Sequence, residues 1–220
     1  MKQKIFFLLN DFSEFTFQEY IKKYLKNIDV TLGTIFPENP EKYSLIILWS
    51  YRQILKNVEN QNNVILFHST DLPKGKGWAP IYYTIFNNEK FFTISGISAS
   101  NKVDSGKIIV KAKFKILPNY TAEYIRKWDE EISIILTKMI LKKIKNTKIS
   151  GIPQKGNITY YKKRVPEDNE FPSKNLLNHL RACEKNHPAF FYYKNEKFFV
   201  TIKPENEPKF PKDLKINFYF

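Results

Sequence analysis

Apolar positions along this chain come in two kinds of run. Residues 4–10 (KIFFLLN), 44–49 (SLIILW) and 63–67 (NVILF) are continuous apolar stretches of strand length, the pattern of strands buried on both faces. Residues 30–36 read as a further strand, ended by Pro37 and Pro40. Between the first two strands, Phe17, Tyr20, Ile21 and Tyr24 recur at helical spacing, with Ser13 or Thr16 as the cap. Residues 80–87 read as a helix opened by Pro80, and 90–97 and 107–116 as two more strands. The longest helical pattern covers 120–145, with Tyr124, Trp128, Ile132, Ile135, Met139 and Ile140 on one side and alternating charges on the other. Gly151-Ile152-Pro153 ends it. Strands alternating with helices predict an α/β chain, a Rossmann-like and mostly parallel sheet with flanking helices, over residues 1–148. Residues 149–220 read as a small C-terminal α+β module: a helix near 176–184, then strands at 189–193 and 197–202.

Composition narrows the class. At 220 residues and 42% hydrophobic, the chain has room for one large domain and a small appendage. No stretch reaches the ~18 apolar residues of a membrane span, so no membrane partner is expected. The apolar run at the N-terminus has no small-residue cleavage site and leads into charged sequence, which favours a buried strand over a signal peptide. Cys183 is the single cysteine, so an internal disulfide is excluded and a reducing, cytoplasmic setting is expected. The Asn119-Tyr120-Thr121 sequon has no meaning there. A formal charge of +14 invites a nucleic-acid reading. Arginine, however, occurs only at Arg52, Arg126, Arg164 and Arg181, and lysine is spread along the whole chain with no recognition helix or zinc-finger spacing. No nucleic-acid partner is expected; the charge attracts anionic ligands in general.

Two segments carry candidate chemistry. Residues 67–80 (FHSTDLPKGKGWAP) place His68 at a strand end, followed by Leu72-Pro73 and a loop with Gly75 and Gly77. Residues 103–106 (VDSG) place Asp104 on a second turn. A strand-end histidine with a carboxylate brought beside it is a general acid/base arrangement. Gly75 and Gly77 are not a dinucleotide fingerprint, because the strand–Gly–helix spacing is wrong; their expected use is a sharp backbone turn beside a ligand. Lys74 and Lys76 are either solvated loop charges or contacts to a substrate phosphate. His179 and His187 have no metal-ligand companions, so no metal is expected, and Cys183 packs on a helix face.

The string around His68 and the later Asp-x-Gly turn resemble the folate-dependent N-formyltransferases. The segments TYYKKRVPED (159–168), Leu180-Arg181-Ala182 and His187-Pro188-Ala189-Phe190 are similar to the C-terminal part of those acting on nucleotide-linked amino sugars. The resemblance implies an enzyme, a formyltransferase in a bacterial cytoplasm, that moves a formyl group from 10-formyltetrahydrofolate to a sugar amine. It makes His68 and Asp104 catalytic. It assigns Ser50, Tyr51, Arg52, Gln53, Ile54, Leu55, Ser98 and Asp104 to the cofactor, and Asp71, Lys74, Lys76, Gly77, Tyr161 and Arg181 to the substrate. The alternative for residues 50–55 is an ordinary strand-to-helix connection, and for Arg181 a pairing with Asp168 or Glu167. The family places an asparagine two residues before the histidine, where this chain has Leu66. That departure keeps open a non-catalytic folate- or nucleotide-binding protein. Methionyl-tRNA formyltransferases carry a longer C-terminal barrel and are disfavoured; glycinamide ribonucleotide formyltransferases end near the long helix and lack the TYYKKR segment, yet a formyltransferase acting on another amine such as glycinamide ribonucleotide stays open as an alternative. A homodimer is compatible with the chain.

Overall fold

The computed structural model describes residues 3–58, 61–144, 149–172 and 174–219. In chain order the elements are β1 (Lys4–Leu8), α1 (Gln18–Tyr24), β2 (Asp29–Gly33), β3 (Leu45–Leu48), β4 (Val64–His68), β5 (Lys76–Gly77), α2 (Pro80–Phe86), β6 (Phe91–Ser98) and β7 (Ile108–Lys115). They continue with α3 (Ala122–Lys143), β8 (Tyr160–Tyr161), α4 (Leu176–Ala182), β9 (Ala189–Tyr193), β10 (Glu196–Val200) and β11 (Lys215–Phe218). Seven strands form one mixed sheet in the order β11-β7-β6-β4-β3-β1-β2. From β2 to β4 the pairings are parallel, as the uninterrupted apolar runs predict. From β4 to β11 they are antiparallel. The fold is the expected α/β type with flanking helices.

The sheet separates its two faces by residue parity. Ile5, Phe7, Leu45, Ile47, Ile65 and Phe67 pack into the large core with residues of α1, α2 and α3. Phe6, Leu8, Ile46, Leu48 and Val64 face the other way, and what they meet is loop: Val58, Ala99, Tyr43, Tyr51 and Leu55. Leu66 shares that second face, where it also touches a small cluster of Leu72, Ile97 and Ile108. One face is therefore sealed by helices and the other by loops.

Several expectations need correcting in detail. Neither Ser13 nor Thr16 caps α1: Phe17 holds the N-cap position with no side-chain hydrogen bond, and Thr16 Oγ1 donates to Glu130 Oε1 at 2.7 Å. β2 stops at Gly33, short of Phe36. β11 and the two-residue pair β5/β8 were not legible, being too short to show a period. The proposed division at 148 and the end of the long helix at 145 lie outside the described residues.

Candidate active site

His68 is the last residue of β4 and projects on the loop-covered face, in parity with Leu66. The chain then turns back through 69–78. Asp104 arrives differently. Ser98 at the end of β6 pairs opposite Ile65, at the far end of β4 from His68. The 99–107 turn must therefore fold back over the sheet face to bring Asp104 to the histidine. It does: Asp104 Oδ2 lies 3.5 Å from His68 Nδ1, with side-chain exposures of 13% and 8%. The same Oδ2 accepts a hydrogen bond from Gly77 N at 2.8 Å, and Asp104 sits in the left-handed region at φ 45°.

The other imidazole nitrogen, Nε2, is 2.8 Å from Gly75 O. A carbonyl oxygen only accepts, so Nε2 carries its hydrogen and Nδ1 is the nitrogen that faces the carboxylate. The ring is held from both sides. Gly75 also takes a weaker contact from Thr70 Oγ1 at 3.3 Å, and Ser95 Oγ donates to Thr70 O at 2.7 Å. The tight turn needs glycine at two places. Gly75 (φ 67°) would drive a Cβ to 2.6 Å from the Tyr161 ring, and Gly77 (φ 94°) to 2.8 Å from Tyr161 O.

The lysines of this loop divide. Lys74 is exposed. Lys76 is only 3% exposed, and its Nζ donates to Ser105 Oγ at 2.8 Å on the Asp104 turn. Burial pushes the Lys76 ammonium below its ordinary pKa, while the charge of Asp104 opposes that shift. It is therefore no solvated loop charge. Asp71 pairs with Lys111 Nζ, which also donates to Leu72 O at 2.8 Å. Tyr161 lies parallel to Tyr83, ring centroids 4.5 Å apart, and burial raises its hydroxyl pKa. Arg181 sits on α4, where its guanidinium donates to Tyr120 O, Leu117 O and Asn178 Oδ1, each at 3.0 Å, and not to Asp168 or Glu167. Two cavities of ≈360 and ≈320 Å³ lie beside Arg181, away from the residues named around His68.

Residues 50–58 form the loop after β3. Ser50 is at φ 49°, Arg52 N donates to Asn10 Oδ1 at 2.8 Å, and the Arg52 guanidinium pairs with Glu14 at 2.6 Å. Tyr51 and Leu55 pack on the small cluster of this face, and Gln53 is exposed. Ile54 is 56% exposed, and Val103, on the Asp104 turn, is 48% exposed. Ser98 Oγ accepts from Lys107 N at 3.0 Å, closing the neck of that turn. Apolar side chains left open on these two loops suit a flat, largely apolar ligand held by a few polar groups.

No protein-family model matches the chain. A methionyl-tRNA formyltransferase of Borrelia garinii subsp. bavariensis is 32% identical over 161 residues, 70% of this chain and 50% of that protein. The chain thus spans about half the length of the curated relatives it matches. HypX from Aquifex aeolicus in complex with tetrahydrofolic acid superposes with a TM-score of 0.72 at 16% identity, over 96% of this chain and 40% of that one. A likely sugar N-formyltransferase from Mycobacterium tuberculosis gives 0.70 at 16% identity, over 95% and 100%. This chain has the formyltransferase fold. Within that fold, sequence reasoning missed the groups that hold the site together. The Gly75 carbonyl acts through the main chain, and Ser105, Thr159 and Gln154 act through side chains whose partners lie far off in sequence, which no local pattern reveals. Thr159 Oγ1 accepts from Gly75 N at 2.8 Å, across 84 residues of sequence. It lies in the TYYKKR segment, which the sequence singles out for other reasons.

Behind the sheet, Ser69 Oγ donates to Asp129 Oδ2 of α3 at 2.9 Å. Asp129 Oδ1 is enclosed with no hydrogen-bond partner among the described residues. Burial pushes the carboxyl up to about 7; the Ser69 bond and Arg126 oppose the shift, and Glu130 adds to it.

Proposed function

We propose that this chain is an N-formyltransferase that transfers a formyl group from 10-formyltetrahydrofolate to the amino group of a nucleotide-linked amino sugar. The observation that carries the reading is the His68–Asp104 pair at 3.5 Å, clamped between Gly75 O and Gly77 N. Formyl transfer to an amine needs a base for the ammonium proton and positive charge near the carbonyl oxygen as it becomes an oxyanion. His68 supplies both. Nδ1 would take the ammonium proton as the new C–N bond forms and return it to the amine nitrogen that leaves as the old C–N bond breaks, Asp104 would stabilise the imidazolium in between, and the Gly75 carbonyl keeps the ring from rotating. The folate, when bound, would supply the activated one-carbon unit. Residues 50–55, with Ser98 and the 99–104 turn, would hold it, with Ile54 and Val103 as the exposed apolar side chains of these two loops. Asp71, Lys74, Lys76, Gly77 and Tyr161 are our assignments to the acceptor side; Arg181, whose guanidinium is bonded to the Tyr120 and Leu117 carbonyls beside cavities away from His68, is not among them.

The sugar acceptor is favoured by the tail segments 159–168 and 180–190 and by the likeness to sugar N-formyltransferases of known structure. A second reading, methionyl-tRNA as acceptor, is favoured by the 32% identity to a methionyl-tRNA formyltransferase. The deciding experiment supplies formyl-folate with either a panel of amino-sugar nucleotides or methionyl-tRNA and follows the acceptor by mass. A formylated sugar nucleotide is the expected product; a formylated aminoacyl-tRNA alone selects the second reading. If 5-formyltetrahydrofolate at saturation does not raise the melting temperature, the folate assignment fails.

A further inference from the structure

His68 and Asp104 come from two loops that would drift independently unless something ties them. A third segment, residues 152–161, does so. Ile152 exchanges two backbone hydrogen bonds with Ile108, at 2.8 and 2.9 Å, at the foot of the Asp104 turn. Gln154 Nε2 then donates to Asp104 O at 2.8 Å and to Gly106 O at 2.9 Å. Farther on, Thr159 accepts from Gly75 N and, through its carbonyl, from Lys76 N at 2.9 Å, while Tyr161 O accepts from Trp78 N at 3.2 Å.

We propose that Gln154 is a positioning residue that sets the direction of the Asp104 carboxylate. Carbonyls two residues apart converge on one nitrogen only if the residues at 104 to 106 keep their turn, and Asp104 is there at a positive φ that a side chain resists. A primary amide offers two hydrogens on one nitrogen, which matches two acceptors; a carboxylate of the same length offers none. Gln154 Oε1 is enclosed with no partner among the described residues, so the two carbonyls alone orient the amide. With the turn fixed, Oδ2 meets both Gly77 N and His68 Nδ1.

The consequence for turnover rests on the formyl-transfer reading; the consequence for geometry does not. Amide hydrogen exchange is compared in wild type, Gln154→Met (similar volume, no donor) and Gln154→Glu (acceptor only). The expected result is exchange at least ~10-fold faster at Gly77 and across 103–107 in both variants, with β1 and β3 unchanged. Steady-state kinetics with formyl-folate and the acceptor should show kcat reduced ~10-fold or more and the folate KM within a few-fold, the mark of lost alignment rather than lost binding. Unchanged protection at Gly77 overturns the inference. So does protection lost equally in β1 and β3, which would make Gln154 a general support of the fold, or a KM that rises while kcat holds. If no acceptor is turned over even by wild type, the exchange result still decides the inference, and only the formyl-transfer reading falls.

Discussion

The two faces of β4 are built to opposite specifications. On one, Ile65 and Phe67 join the core under α1, α2 and α3. On the other, Leu66 and His68 lie under loops, and the hydrogen bonds that matter run to main-chain atoms from residues as far apart as Gly75, Asp104 and Thr159. A helix-covered face is stabilised by apolar area, which has no preferred direction. A loop-covered face positions a few polar groups by hydrogen bonds, which have one. Alternation along one strand thus places structural and chemical residues side by side without mixing them.

The sharpest way to break this comparison is to truncate one residue from each face. Ile65→Ala removes a fully buried side chain and should cost about 2–5 kcal/mol of stability, read by urea denaturation. Turnover per folded molecule should stay near wild type. His68→Ala should do the reverse: turnover falls ~10²-fold or more, while stability drops only by about the 1 kcal/mol of one lost hydrogen bond. Equal effects of the two substitutions on both measurements would mean that the faces are not functionally distinct.

What the sequence conveys follows the same division. Runs such as LIIL and VILFH announce strands, and with them the parallel half of the sheet, but apolar residues on both sides leave no alternation to say which face is helix-covered. His68 and Asp104 were legible because turn residues surround them: Leu72-Pro73, Gly75 and Gly77 for one, Ser105-Gly106 for the other. Gln154 was not, since its partners are carbonyls about 50 residues away and any residue type has a carbonyl. Arg181 was read as a contact to the substrate or a partner for Asp168 or Glu167; its bonds to Leu117 O and Tyr120 O are equally invisible to composition.

Asp129 sharpens the comparison because it is a titratable group on the helix side. Its folded pKa of about 7 lies above the ordinary carboxyl value of 3.8, so the folded chain binds the proton more tightly. The sign follows: the stabilising contribution is full below about pH 4 and is lost as pH rises through 7. Ionised Asp129 therefore costs stability at pH 8. The spacing of the two values sets a ceiling of about 4 kcal/mol, and part of the residue reaches solvent, so roughly 1–3 kcal/mol is expected. Asp129→Asn keeps an acceptor for Ser69 and removes the charge. Its stability at pH 8 should exceed wild type, and the wild-type decline between pH 5 and 8 should flatten in urea midpoints taken at each pH. Turnover at a fixed pH should change little; a loss of tenfold or more would show that the Ser69 bond reaches through β4 to His68.

The smallest effect is expected at Leu66, where the two specifications meet on one side chain. Leu66 shares the face of His68, yet it packs like a core residue, bridging the cluster of Val64, Val58 and Ala99 to that of Leu72, Ile97 and Ile108. An asparagine here would offer a donor towards a reacting carbonyl, and such a donor is typically worth ~10²–10³ in rate where the site is built around it. In this chain the surroundings are not. An amide at this position would face apolar neighbours, and burying it without full hydrogen bonding costs about 1–3 kcal/mol. Leu66→Asn should therefore lower stability by roughly that amount and change kcat by less than ~10-fold in either direction, if the proposed formyl transfer draws most of its oxyanion stabilisation from the His68 imidazolium. Steady-state turnover beside a urea titration tests both halves. A rise in kcat of ~10²-fold would overturn the assignment of that role to His68 and mark the missing donor at Leu66 as what limits the native site.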